Sequence, residues 1–374
     1  MGRGTRQYDW GVQTSTRTGH AQEVRFCRAP DGVRIAYAKH GSGPVLVIST
    51  CWLSHLQHDW ESPVWRHFLD GLGRISTVIR YDERGHGLSD WDVEDFGIEA
   101  RISDLEAVVD HARLDRFALM AMAQGGPVAI EYTARHPQRV SRLVFYDSSA
   151  GAVRDPTPEQ KELQETFDQL IKVGWARPES TFRRVFTSMM IPEATEEQMR
   201  WLDDLQRVAV SATNAYASRQ ERRKADARAH LDGLDVPTLV LHARGDRMND
   251  FERGRELATR IPGARLVTLE SENHILLEDE PAWPVFLGEV TRFLEPDRDA
   301  RPTGSVEDVV GVLTARELEI LRLASDARDN EEIATVLSLS VRTVERHLQN
   351  IYAKLGIHGK SARAAAVARL LTRA

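Results

Sequence analysis

Five short apolar runs, separated by turns and stretches of helical spacing, constrain this chain more than anything else in it. They are "PVLVIST" (44–50), "STVIRYD" (76–82), "RFALMAM" (116–122), "VSRLVFYD" (140–147) and "VPTLVLHARGD" (236–246). Runs this short, without polar alternation, read as strands buried on both faces. Between them "SPVWRHFLDGL" (62–72) and "GPVAIEYTARHP" (126–137) have helical spacing. Strands alternating with helices predict a parallel sheet covered on both sides, an α/β fold. Upstream, "EVRFCRA" and "VRIAYAK" flank the turn "PDG" and read as a β-hairpin. Downstream, "ARLVTLE" (264–270) reads as a further strand, with helices near 252–261 and 281–294.

Two segments depart from the alternation. From about 150 to 230 the chain is charged and helix-favouring, as in "EQKELQETFDQLIKVGW" and "EEQMRWLDDLQRVAV", and reads as a helical cap inserted over the sheet. Residues 296–311, within "EPDRDARPTGSVEDVVG", are rich in Pro, Gly and charge and read as a linker. Beyond it, residues 312–374 read as purely helical. The expected organisation is therefore a polar arm (1–22), a sheet domain with its cap (23–295), the linker, and a small all-α domain. The arm, "MGRGTRQYDWGVQTSTRTGH", has no apolar core, so no signal peptide is expected. No apolar run approaches the ~20 residues that cross a bilayer, so no membrane role is expected. Two cysteines, Cys27 and Cys51, cannot make a disulfide framework, and a reducing cytoplasm is the expected setting.

Charge is unevenly spread. Residues 341–374 carry seven Lys/Arg against the single acid Glu345, while the whole chain is −7. A basic tail on an acidic body suits contact with a polyanion; an ordinary solvated helix face is the alternative.

The turn after the third run reads "MAMAQGG" (120–126). A small residue, a central residue and a second small residue join a strand to a helix there: Ala121, Ala123 and Gly125. Further on, Asp246 and His274 each follow a predicted strand, in the order turn, acid, histidine. This layout resembles the α/β-hydrolase family over about residues 23–295. The resemblance implies a nucleophile at position 123, a carboxylate at Asp246 that orients the imidazole, and a base at His274. It also implies an oxyanion hole built from the N–H of Gln124 and one near Cys51 or Trp52. Asp147 follows a strand too and is the alternative acid. "RYDERGHGLSD" (80–90) is a further family-like turn, expected to be structural. Ala123 has no lone pair to attack with, and losing such a nucleophile lowers turnover by about 10⁶ in a serine protease. No covalent hydrolysis is expected of this sequence. Cys51 as a substitute nucleophile is disfavoured, since it falls on the oxyanion loop. No metal or cofactor is expected.

"TCWLSHLQHDWESPVW" (50–65) carries Trp52, Trp60, Trp65, His55 and His58 and in the family runs over the substrate position. Trp52 is expected to touch a ligand, with Cys51, Ala123, Gln124 and His274; Trp60 and Trp65 serve equally well as core. Met122, Met189 and Met190 are expected mainly as core.

"LTARELEIL", "NEEIATVLSLSVRTVERHLQNIYAKLGI" and the Ala-rich end resemble the LuxR-type helix-turn-helix domain. Ser340 can cap a helix starting at Val341, and Val344, Leu348, Ile351 and Leu355 form its apolar stripe. The opposite face carries polar residues that can enter a major groove. The resemblance places base contacts at Glu345, Arg346 and Gln349. It places phosphate or register contacts at Arg342, Thr343, His347, Asn350, Lys354 and Lys360. The acidic "SDARDNEE" (325–332) departs from the family pattern, and the last helix is where family members pair.

Together these features lead us to expect a ligand-responsive DNA-binding regulator. Its silent hydrolase-like domain would sense a small hydrophobic ester- or lactone-type molecule, and it would act as a homodimer on an inverted-repeat operator. The alternative is a serine hydrolase coupled to a DNA-binding domain, with alanine replacing serine at position 123. A third possibility is a sheet domain that serves only as a protein-contact scaffold.

Overall fold

A computed structural model describes residues 21–49, 52–294, 313–325, 328–337, 339–354, 363 and 366. The chain forms two compact units, 1–294 and 295–374.

The first unit is built on an eight-stranded sheet: β1 (Glu23–Arg28), β2 (Arg34–Gly41), β3 (Val45–Ser49), β4 (Thr77–Tyr81), β5 (Phe117–Met122), β6 (Val140–Tyr146), β7 (Thr238–Ala243) and β8 (Arg265–Leu269). Their spatial order is β1-β2-β4-β3-β5-β6-β7-β8. The hairpin is antiparallel, with Glu23 opposite Lys39, and β2 runs antiparallel to β4. From β4 to β8 every neighbouring pair is parallel.

Period-two alternation divides the apolar runs between two cores. Leu46, Met120, Met122, Val144 and Leu241 face one side; Val47, Leu119, Ala121, Phe145 and Val240 face the other. Both faces are covered, so β5 is buried throughout. The first face meets α2 (Arg66–Ile75), α10 (Ala282–Leu294) and the cap, and the second meets α3 (Ile98–His111), α4 (Gly126–Arg135) and α9 (Phe251–Arg260). The cap consists of α5 (Pro158–Gly174), α6 (Thr181–Met190), α7 (Glu196–Ala209) and α8 (Ala212–Arg222). Thr157 with Gln160 and Thr195 with Gln198 form capping boxes that start α5 and α7.

Three local differences from the sequence reading have clear causes. A short helix, α1 (Leu56–Trp60), lies in the Trp-rich loop, and α2 starts at Arg66 because Ser62 Oγ accepts the N–H groups of Val64 and Trp65 in a turn. Helix α3 was absent from the sequence reading; its "IEARISDLEAVVDH" interleaves charges with its apolar stripe.

The second unit packs α11 (Ala315–Ser325), α12 (Asn330–Leu337) and α13 (Val341–Lys354) around a small aliphatic core. Thr314 and Glu317 form a capping box at the start of α11. Asp329 does the same for α12: its carboxylate accepts the N–H groups of Glu331 and Glu332, and Glu332 reaches back to the Asp329 N–H. Part of the unusual acidity of 325–332 is thus spent on starting a helix.

Candidate functional site

Strand β5 delivers the chain into one turn of 3₁₀ helix, Ala123–Gly125, and then into α4. Ala123 has φ of 47°, a left-handed conformation that side chains other than glycine enter at a cost of about 1–2 kcal/mol. Neighbouring groups hold it there. Ser148 Oγ donates to the Ala123 carbonyl at 2.6 Å, and Ser49 Oγ to the Gly125 carbonyl at 3.2 Å. A Cβ on Gly125 would lie 2.4 Å from the Ser49 carbonyl oxygen, and one on Gly126 would lie 2.0 Å from that of Ser149. The bend is complete even though its central side chain is a methyl group.

Asp246, in the loop after β7, accepts from His274 Nδ1 at 2.7 Å. Its other oxygen accepts the N–H groups of Met248 at 2.7 Å and Asn249 at 3.1 Å. The histidine loop is clamped by Tyr146, whose hydroxyl donates to the His274 carbonyl and accepts from the Leu276 N–H. With Nδ1 turned to a carboxylate, Nε2 is left to act as acceptor or base.

Asp147 lies behind this pair. Asp147, His242 and Asp246 each offer an atom within 4.8 Å of the others. Burial first, and the Asp246 carboxylate next, push the Asp147 carboxyl well above the usual range. Burial lowers His242, which is therefore neutral, and its Nε2 meets the Asn249 carbonyl at 2.9 Å. Asp147 accepts from the Ala243 N–H at 2.6 Å. Asp147 Oδ1 and His242 Nε2 are thus engaged, while Asp147 Oδ2 and His242 Nδ1 have no hydrogen-bond partner among the described residues. Of the two acids the sequence offered, Asp246 is the one that meets His274.

Ala123, Gln124, Trp52, Met122, Trp65 and His274 share a chamber of about 30 Å³, the volume of one water. It adjoins a cavity of about 340 Å³, and Trp52, Gln124 and Met248 line both. The larger space lies within the range of small-molecule pockets, roughly 300–1,000 Å³. Trp52 is held against Trp175 and Phe186, with its indole N–H on Ser218 Oγ at 3.2 Å. Its backbone N–H makes a long 3.4 Å contact to Gln124 Oε1. Trp60 packs edge-on to His40 and under Arg66, away from both spaces. His55 caps α1, and His58 stacks on Trp201 of the cap. Met190 lines the chamber and Met189 the larger cavity. In "RYDERGHGLSD", Asp82 ties Ser54, Leu56 and Leu88 together, and Arg84 forks onto Asp104; both are structural. The sequence reading passed over the arginines of the larger cavity, which come from α3, the cap, the loop after β7 and α9 and belong to no motif. Cys51 lies outside the described residues.

In the second unit, Ser340 Oγ accepts the Thr343 N–H at 3.1 Å and so caps α13. Val344, Leu348 and Ile351 are buried. Arg342, Glu345, Arg346, Gln349 and Asn350 are exposed, while Thr343 and His347 are half-buried. The Thr343 hydroxyl also bonds Ser340. Lys354 is exposed but paired with Glu317 at 2.7 Å. Lys360 and Leu355 lie outside the described residues, as does most of the last helical segment.

Residues 44–281 match the alpha/beta hydrolase fold family, and residues 311–367 match the family described as bacterial regulatory proteins, luxR family. The chain is 28% identical over 198 residues to the AB hydrolase superfamily protein YisY of Bacillus subtilis, covering 52% of this chain and 74% of that protein. It is 27% identical over 242 residues to a putative carbamate hydrolase, RutD, of Agrobacterium fabrum, covering 63% and 89%. The crystal structure of a hydrolase from Pseudomonas aeruginosa superimposes with a TM-score of 0.60 at 25% identity, covering 72% of this chain and 98% of that one. The chain therefore belongs to the alpha/beta hydrolase fold family and carries, after that unit, a luxR-family regulatory helix-turn-helix domain.

Proposed function

We propose that the protein is a ligand-responsive DNA-binding transcriptional regulator in which the hydrolase-fold unit receives a small molecule without turning it over. The observation that carries this reading is the bend at Ala123. The strained backbone and the His274–Asp246 pair are kept, and the attacking atom is missing. Such a site retains donors for a carbonyl and a cavity for the rest of a ligand, and it spares the signal from hydrolysis. Trp52, Ala123, Gln124 and His274 are the ligand-facing residues near the bend. On DNA, Glu345, Arg346 and Gln349 read base edges, while Arg342, Thr343, His347 and Asn350 set register on phosphates, with Lys360 beyond them. Lys354 joins them only by leaving Glu317. A cytoplasmic homodimer on an inverted repeat fits a domain of this kind, and ligand binding would bias the dimer arrangement that meets both half-sites.

The test is to select a duplex from a random pool with the full chain. Its affinity is then measured before and after solvent extraction of any co-purified small molecule and its return. A reproducible change in affinity, with no ester turnover by the protein, supports the reading. Rapid hydrolysis of the co-purified molecule, or an affinity indifferent to it, refutes it.

A second reading is favoured by the intact histidine–acid pair and by relatives that are hydrolases. In it the native chain has serine at position 123 and couples hydrolysis to DNA binding. The codon for residue 123 in the source gene decides between the two.

A further inference from the structure

The larger cavity is walled by arginines drawn from distant parts of the chain. Arg101 comes from α3, Arg219, Arg222 and Arg223 from the end of α8, Arg247 from the loop after β7 and Arg253 from α9; Asp250 is the one acid on the lining among the described residues. Several of these arginines already have carboxylate partners. Arg219 and Arg223 share Asp168, and Arg222 donates to Glu83. Arg253 bonds neutral oxygens of Ser149 and Gly151.

Arg101 differs from the others. It is 2% exposed, yet Nε, Nη1 and Nη2 all lack a hydrogen-bond partner among the described residues. Arg222 likewise leaves Nε and Nη1 without a partner. Buried guanidinium N–H groups without acceptors are among the costlier things a protein can keep, and they are rare unless something is meant to meet them. Burial, and then the nearby Arg222, bring Arg101 down to about 10, which leaves it cationic at neutral pH. Leu163, Phe167, Phe186 and Met189 give the wall an apolar stretch, beside the polar Gln160, Gln164 and Asn249.

We infer that this cavity seats a small amphipathic organic anion, its carboxylate or phosphate oxygens on Arg101 and Arg222 and its apolar part against Phe167, Phe186 and Met189. Both residues line this one space, and a planar guanidinium fork matches the oxygens of either headgroup. An uncharged ester or lactone would leave both forks unanswered. The inference rests on the receptor reading and names its ligand class. Gln124 and Trp52 border both spaces, so a carbonyl at the far end of such a ligand would reach the bend at Ala123.

The test uses the full chain and follows the melting of the hydrolase-fold unit with millimolar hexanoate, hexyl phosphate or methyl hexanoate. One or both anions should raise the melting temperature and the neutral ester should not; the headgroup acting at lower concentration identifies the natural one. Arg101→Met and Arg101→Gln should each weaken the anion at least tenfold, in line with charge-assisted hydrogen bonds. Without ligand, Arg101→Met should melt no lower than the parent, because it removes an unanswered buried charge. If methyl hexanoate acts as well as hexanoate and Arg101→Met changes nothing, the anion site is overturned while the receptor reading stands. If neither anion shifts the parent, or if Arg101→Met melts well below it, Arg101 is a structural strut and the inference fails. Failure of the receptor reading itself would look different: operator affinity would ignore charged and neutral compounds alike.

Discussion

The two units use charge in opposite ways. The hydrolase-fold unit turns titratable groups inward: Asp147, His242, Asp246 and Arg101 are all buried, gathered from strands and helices far apart in sequence. The helix-turn-helix unit keeps an aliphatic interior and sets Arg342, Glu345, Arg346 and Gln349 outward on a single helix. An inward arrangement suits a molecule small enough to be enclosed, where low dielectric strengthens each contact. An outward one suits a partner too large to enclose, where screened charges still steer and register it.

The sharpest way to break this contrast is at the bend. Ala123→Ser should raise hydrolysis of p-nitrophenyl esters by about 10³-fold or more over the parent, since the bend and the histidine–acid pair are in place. Adding His274→Ala should remove the gain. A dead Ala123→Ser protein that still folds would mean that the inward machinery has decayed beyond its nucleophile.

On the outward side, Arg346→Ala should cut preference for the selected duplex by about 10–100-fold, equivalent to the roughly 1–3 kcal/mol of one base contact. Arg342→Ala should weaken all duplexes alike and lower the salt slope by about one. Mobility shifts across a salt series separate the two effects.

Acid should also distinguish the units. Burial pushes His40 and His67 down to about 4, below their ordinary value of 6.5. Their stabilising contribution is therefore complete above about pH 6.5 and lost as pH falls towards 4, on the order of 2 kcal/mol each. Asp59 and Asp104, pushed up to about 7 and about 6 by burial, and Asp147 and Glu280, also raised by burial, act in the opposite sense; the lowered histidines outnumber them, since His58 is likewise brought to about 4 and His55, His86 and His242 are lowered by burial too. In the helical unit Glu317 is raised by burial but lowered further by Lys354 and Thr314, ending below 4.5, so its contribution is lost only in stronger acid. Calorimetry from pH 7 to 5 should move the hydrolase-fold transition down and leave the helical one in place. His67→Gln, which keeps a donor for the Leu276 carbonyl, should flatten that slope.

The smallest expected effect is Ser340→Ala. Losing this cap should cost about 1 kcal/mol, seen in the helical transition alone. A shift in both transitions would show that the units melt together.

The same contrast sets what was legible in sequence. Strand runs, the bend at 121–125, Asp246 and His274 could be read because each sits a fixed distance from a strand end. The recognition helix could be read because its cap, stripe and polar face are contiguous. Arg101 could not. It lies on α3, which the pattern reading missed, and one of its neighbours, Arg222, arrives with the cap about a hundred residues later. The Arg222–Glu83 pairing was hidden for the same reason. Asp147 was visible as a rival acid, but the burial and the neighbouring Asp246 that raise its carboxyl exist only once the chain has folded.

Glu317 serves two masters. It finishes the capping box that opens α11, and it also holds the ammonium of Lys354 at the far end of α13. A duplex phosphate that draws this lysine away would loosen the tie between the first helix and the third. Grip on the double helix and cohesion of the little domain then compete for one cation, and dissolved salt acts on both at once.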